Sequence, residues 1–395
     1  MKKILFLSPQ PYFAWRGSPI RVHYNLEALA ELGYAVDFLT FPFGTDRDIP
    51  GVRLLRLKPI PFIRTLPIGP SLAKLLFDVK MYFRARRMIA VGDYDAVHGV
   101  EDAGFLAVLL CRRKKIPCIY EKHSDPKSHR KGFLRNMVLS VYARVETFTI
   151  RRADAVITTG EGLKTSVKRI NPEAKCVHIF DIPSSRAKAD PDQAAEIRNR
   201  FTRGSEDPVL ITYVGSFAVY QGIDLLFESI PAVCENVGAA QFLIVGGSED
   251  EIRERRAQMV SAGCGDRVHF LGKIDPDVLP NYLSASDILL SPRISGHNTP
   301  LKILDYFKAG AAILATDVEA NRLILDEQTA RFAEPEPRAF AEELSALAED
   351  EALRDQLARK GRKRVAETYN FDVYRQQLGE VVADVIQPET RPADL

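Results

Sequence analysis

The sequence predicts an α/β chain of two Rossmann-like domains, each built on a parallel sheet, facing a cleft. Three observations predict it. Short apolar runs alternate with longer amphipathic stretches from end to end of the 395 residues, the pattern of strands joined by crossover helices. One polar stretch, DIPSSRAKADPD (181–192), interrupts the alternation, which then restarts. A length of 395 residues suits two to three domains at roughly 100–200 residues each. The 46% apolar and 27% charged content excludes disordered, collagen-like and multi-span membrane chains.

The elements follow in order. KILFLS (3–8) is the first strand, and PIRVHYNLEALAELG (19–33) is a helix with Val22, Leu26, Leu29 and Ala30 on one face and Gly33 as its stop. Further strands are expected at 34–40, 94–99, 116–123, 153–160 and 175–180. After the break they recur at 209–215, 240–247, 267–273, 286–292, 311–316 and 329–334. The predicted domains are 1–182 and 193–368 with a linker at 183–192. A final helical tail, 369–390, follows an interruption at Tyr369 to Phe371.

Ile4 to Leu7 is too short for the apolar region of a secretory signal, so the N-terminus reads as a strand and the chain is expected in the cytoplasm. Cys111, Cys118, Cys176, Cys234 and Cys264 are scattered and form no metal or disulfide pattern. Residues 1–180 hold 30 Lys+Arg against 16 Asp+Glu, and the remainder 24 against 36. A basic half joined to an acidic half suggests that the first meets something anionic. Arg84, Arg86 and Arg87 near Phe77, Tyr82 and Phe83, the run Arg112 to Lys115, and Lys127, Arg130, Lys131 and Arg135 around Phe133 and Leu134 interleave cations with apolar groups, which fits an anionic lipid surface. No nucleic-acid motif is present, and no nucleic-acid partner is expected.

The most informative stretch is 267–325. After the strand ending at Ser291-Pro292 comes a loop with Gly296, Asn298 and Thr299, then a predicted helix from Pro300 to Ala309 with Thr299 as N-cap. A helix start with nearby Lys302 and Arg293 suits phosphate, and Asp305 one turn on suits a sugar diol. His123 ends a predicted strand, where parallel sheets place their ligands.

LGK (271–273), SDILLSP (286–292), TPLKILDYFKAG (299–310) and ILATDV (313–318) resemble glycosyltransferase family 4, enzymes of the GT-B fold, in the branch whose helix reads TPLK..EY. The resemblance implies sugar transfer from a nucleotide diphosphate donor to a lipid-linked or saccharide acceptor, with retention of configuration and no metal cofactor. It implies an envelope glycolipid or polysaccharide role at the inner face of the plasma membrane, and a tail helix that crosses back to the first domain. It assigns Gly215, Ser216, Gln221, Gly246, Lys273, Arg293, His297, Thr299, Leu301, Lys302 and Asp305 to the donor. Arg16, Gly17, Ser18 and Arg21 fall to the acceptor and phosphate loop, and His123 to catalysis beside the sugar. Three positions depart from the pattern: Asp305 replaces the second Glu, His297 the first, and Gln221 a lysine. A non-catalytic nucleotide-sugar-binding protein and a GT-B epimerase are the alternatives.

Overall fold

The computed structural model describes all residues except 14–16, 65, 67–70, 125–132, 205, 297–298 and 388–395, and the backbone alone of 133–139. Arg16, His297, Lys127, Arg130 and Lys131 therefore lie outside the described residues, as do the side chains of Phe133, Leu134 and Arg135. The chain forms two compact units, Met1–Asp181 together with Phe371 onward, and Ile182–Asn370.

In the first unit the strands are β1 (Lys3–Ser8), β2 (Ala35–Thr40), β3 (Val52–Arg56), β4 (Ala96–Val100), β5 (Cys118–Lys122), β6 (Ala155–Thr158) and β7 (Cys176–His178). They form one parallel sheet in the order β3-β2-β1-β4-β5-β6-β7. The central strands are buried along almost their whole length because helices cover both faces, which is why they read as continuous apolar runs. β3 is a strand the apolar pattern does not announce. It is a half-buried edge whose Arg53 and Arg56 pair with Asp37 and Asp46, charges suited to an edge that must not recruit another strand.

The second unit holds β8 (Val209–Val214), β9 (Ala240–Val245), β10 (Val268–Gly272), β11 (Ile288–Ser291), β12 (Ala312–Thr316) and β13 (Arg331–Ala333), all parallel, in the order β10-β9-β8-β11-β12-β13. Phe227, Phe242, Ile244, Leu290 and Leu344 lie in a core between this sheet and the helices Ile223–Asn236 and Pro337–Glu349.

The polar stretch after Asp181 is packed on the second unit rather than loose. Lys308 Nζ donates to the carbonyls of Ser185 and Ala187 at 2.6 Å each, and Asp190 N donates to Asn281 Oδ1 at 2.8 Å. The helix Pro191–Thr202 starts inside the expected linker. Asp190 caps it and Pro191 stands at its first position, so the same residues that signal a turn also start a helix. The helical stretch before the tail is itself broken at Asp350, and the interruption near Asn370 separates the helices Glu351–Glu367 and Phe371–Ile386. The latter lies in the first unit, where Arg375 pairs with Glu31 and Lys175 with Asp384.

Candidate active site

In each sheet the strand order reverses direction at one place, between β1 and β4 and between β8 and β11. In open α/β sheets ligands bind outside the carboxyl ends of strands at such a point. The residues of interest lie on the loops that leave these ends.

In the second unit, Gly215 follows β8 and Gly246 follows β9. Gly215 N donates to Val245 O at 3.0 Å and Gly246 N to Gly272 O at 2.7 Å. Gly246 has φ +118°, and a Cβ there would meet Gly215 O at 1.9 Å, so only glycine lets these strand ends approach. Gly222 has φ +71°, and a Cβ on it would meet Pro292 O at 1.7 Å. This close approach joins the Gln221 turn to the Arg293 loop. Ser216 supplies its carbonyl to Tyr213 OH at 2.8 Å, and Lys273 is exposed beyond β10.

Lys302 stands at the start of the helix Lys302–Ala309. Its ammonium meets neutral oxygens, Val214 O at 3.3 Å and Gln221 Oε1 at 3.4 Å, and lies 4.6 Å from the centre of the Tyr213 ring. Arg293 is buried, donates Nε to Ser295 O at 2.7 Å and lies over Tyr220. Burial, with the nearby Arg293 charge adding to it, pulls the Lys302 ammonium down to about 7, and burial also lowers Arg293. Gln221, at the position where the resemblance implies a lysine, is an acceptor for Lys302.

The helix start differs from expectation. Thr299 is not its N-cap. Ile303 N bonds Pro300 O and Leu304 N bonds Leu301 O, both at 3.0 Å, so the chain enters through a tight i→i+3 turn and Leu301, without a side-chain oxygen, takes the cap position. Pro300 also lacks an N–H.

Asp305, assigned from the sequence to a sugar diol, has both carboxylate oxygens engaged by one serine. Ser184 N donates to Oδ1 at 2.7 Å and Ser184 Oγ to Oδ2 at 2.6 Å. Burial raises the carboxyl to about 6 in spite of these bonds. A cleft of about 290 Å³ opens beside it, lined by Ser184, Lys188, Pro276, Leu279 and Lys308.

In the first unit, Gly17 and Ser18 begin the helix Gly17–Glu31, and His123 follows β5. The fold brings Ser18 and His123 together, with Ser18 Oγ 2.6 Å from His123 Nδ1. Arg21 does not face an anion from solution. It lies on the inward face of its helix, buried, with Nε on Glu121 Oε1 at 2.5 Å and Nη1 on Asp181 Oδ1 at 2.8 Å. Its charge is already matched. Glu121 was not a candidate from sequence, although a carboxylate on a fully buried parallel strand must find a cation. Burial alone would raise it. Arg21, with His123 and His98, outweighs that and holds it well below the usual carboxylate range.

Two family models cover the chain, the glycosyl transferase 4-like domain at 16–180 and glycosyl transferases group 1 at 208–350. The chain belongs to the family 4 glycosyltransferases. Among its curated relatives is the phosphatidyl-myo-inositol mannosyltransferase of Mycobacterium leprae, 23% identical over 325 residues, which are 81% of either chain. Solved structures with the same fold include the sucrose-phosphate synthase of Thermosynechococcus elongatus, with TM-score 0.74, 21% identity and 97% and 99% of the two chains covered. Another is Anabaena HepE in complex with UDP and glucose, with TM-score 0.71, 16% identity and 97% and 100% covered. This glycosyltransferase thus has the GT-B fold of two parallel-sheet α/β domains. Its two candidate site regions lie at the strand ends where such sheets hold ligands.

Proposed function

We propose that this glycosyltransferase moves a sugar from a nucleoside diphosphate onto an acceptor hydroxyl with retention of configuration, in the synthesis of an envelope glycolipid or polysaccharide. The observation that carries the reading is the buried ammonium of Lys302. At the β8/β11 reversal it meets the Val214 carbonyl and the Gln221 amide oxygen beside a glycine-lined edge, with the Arg293 charge close by. A diphosphate supplies the missing negative charge. When the sugar bond breaks, charge grows on that diphosphate, and fixed cations stabilise it most at that moment. The departing phosphate takes the acceptor proton on the same face, which needs no protein base and gives retention. Ser18 and His123 of the first unit serve the sugar and the acceptor hydroxyl.

The test is a thermal-shift screen with UDP-, GDP- and ADP-sugars, followed by radiolabel transfer to a lipid extract and NMR of the product anomer. One nucleotide sugar should raise the melting temperature by mass action and yield labelled product of unchanged configuration. Stabilisation without turnover would leave a binding protein, and an inverted anomer would reject retention.

The envelope reading has its own support. The relative named above acts, by its name, on a phosphatidylinositol lipid. The helix Leu72–Val91 of the first unit exposes Leu72, Leu75, Leu76, Val79 and Phe83 at helical spacing, and Arg84, Arg86 and Arg87 continue on its outer side. Its one acid, Asp78, is buried. An apolar stripe followed by cations suits the surface of an anionic bilayer. Among the described residues no helix is long and apolar enough to cross a membrane. Sedimentation with liposomes should show binding that rises with anionic lipid and falls with salt, and no binding at low salt would point to a soluble acceptor.

A further inference from the structure

Glu121 has more partners than a buried ion pair requires. Beyond Arg21, its Oε2 accepts from Asn25 Nδ2 at 2.7 Å and lies 2.8 Å from His98 Nε2. His123 Nε2 stands 3.1 Å from Oε1, close but out of line for a hydrogen bond. The network reaches the helix Phe371–Ile386, where Tyr374 OH donates to Asn25 Oδ1 at 2.6 Å and the Tyr374 ring lies 5.2 Å from the Arg21 guanidinium. Glu121, Arg21, Asn25, His98 and Tyr374 are all buried, while His123 sits at the margin with 8% of its side chain exposed.

This arrangement decides where the imidazole proton sits. An ionised carboxylate beside Nε2 favours the proton on that nitrogen, and the state of one ring nitrogen is set by what faces the other. Nδ1 is then an acceptor, and the Ser18 hydroxyl, 2.6 Å away, donates to it. With its proton turned inward, the Ser18 oxygen presents only lone pairs outward. It can accept from a substrate hydroxyl but cannot donate to one. Arg21 and Asn25 hold Glu121 from two sides, and Tyr374 fixes which way the Asn25 amide points.

We infer that Glu121 is the positioning residue of the His123–Ser18 pair. It selects the Nε2-protonated imidazole so that Ser18 offers an acceptor oxygen to a sugar or acceptor hydroxyl, and Asn25 with Tyr374 of the last helix keeps it in register. The inference rests on the reading that Ser18 and His123 serve transfer.

The experiment compares wild type with Glu121→Gln, Tyr374→Phe and His123→Ala in the full-length enzyme. Three quantities are read: the ¹⁵N resonances of the His123 ring, kcat, and the Kd of whichever of UDP, GDP or ADP binds wild type. Wild type should show the Nε2-protonated form. Glu121→Gln should move the ring toward the other tautomer and lower kcat about tenfold or more, and Tyr374→Phe should lower it about threefold, with the nucleotide Kd unchanged, since misplacing a reacting partner costs rate rather than remote binding. Normal kcat in His123→Ala would overturn the transfer reading itself. Impaired His123→Ala alongside folded Glu121→Gln and Tyr374→Phe with wild-type kcat and unmoved ring resonances would overturn this inference alone. Should Glu121→Gln fail to fold, Tyr374→Phe decides by the same two readouts.

Discussion

The two units handle buried charge in opposite ways. In the first, the Arg21 guanidinium faces Glu121 and Asp181, and Glu121 gathers Asn25, His98 and His123 around it. In the second, Lys302 is set among a carbonyl oxygen, an amide oxygen and the Tyr213 ring. A matched cluster is a fixed frame, since every group already has its counter-charge. A buried ammonium that meets only neutral oxygens suits an incoming anion, because burying it costs free energy that the anion returns. On the proposed reading the frame sets geometry, and Lys302 supplies affinity and transition-state charge.

The contrast can be tested by removing one cation from each unit. Arg21→Met leaves Glu121 and Asp181 without their cation and should lower stability by about 3–5 kcal/mol in a denaturant melt. A loss under about 1 kcal/mol would mean that Asn25 and the histidines hold the carboxylate unaided. Lys302→Met should do the reverse to the free protein. Its melting temperature should hold or rise, while kcat falls on the order of 10²-fold or more, beyond any change in donor KM. Loss of stability in that variant would show that the second unit matches its charge too.

Proton linkage sharpens the same point. The unfolded chain keeps the Lys302 proton up to its ordinary 10.5, whereas the folded enzyme releases it near 7. Between these values unfolding takes up a proton, so this group makes stability rise with pH there. A diphosphate favours the charged form. Binding at pH 8 should therefore take up a proton, and affinity should fall above pH 7 by at most about tenfold per unit. Calorimetry in two buffers of different ionisation enthalpy measures the uptake, and an uptake of zero would place the phosphates elsewhere.

The smallest effects concern Asp305. Asp305→Ala should weaken nucleotide affinity about tenfold. Ser184→Ala, which frees one carboxylate oxygen, should tighten it by a few-fold and cost roughly 1 kcal/mol of stability. Unchanged affinity in both folded variants, by calorimetry, would make Asp305 only an anchor for the stretch after Asp181.

What the sequence made legible follows from range. Twelve of the strands stand out as apolar runs, most of them because interior parallel strands are buried on both faces; the edges β7, β10 and β13 are less buried. β3, with Arg53 and Arg56 in five residues, does not. Lys302 was readable because the helix start and the strand before it lie within a dozen residues. Asn25 and Arg21, the partners of Glu121 on the first helix, are 96 and 100 residues away, so nothing in IPCIYEKH names them. Tyr374 is farther still, 349 residues from Asn25. The Thr299 cap was misread for a local reason: Pro300 can open an α-turn or a tighter one, and the tighter one forms.

The first unit is completed by residues translated after the second unit. Its sheet is finished with β7 at His178, yet the helix that carries Tyr374 begins only at Phe371. The whole of Ile182–Asn370 emerges from the ribosome in between. The second unit is contiguous, whereas the first lacks one of its helices until Phe371–Ile386 has been made. The expected order of folding is then the reverse of the usual N-to-C one: in a chain arrested before Phe371, limited proteolysis should cut the first unit before the second.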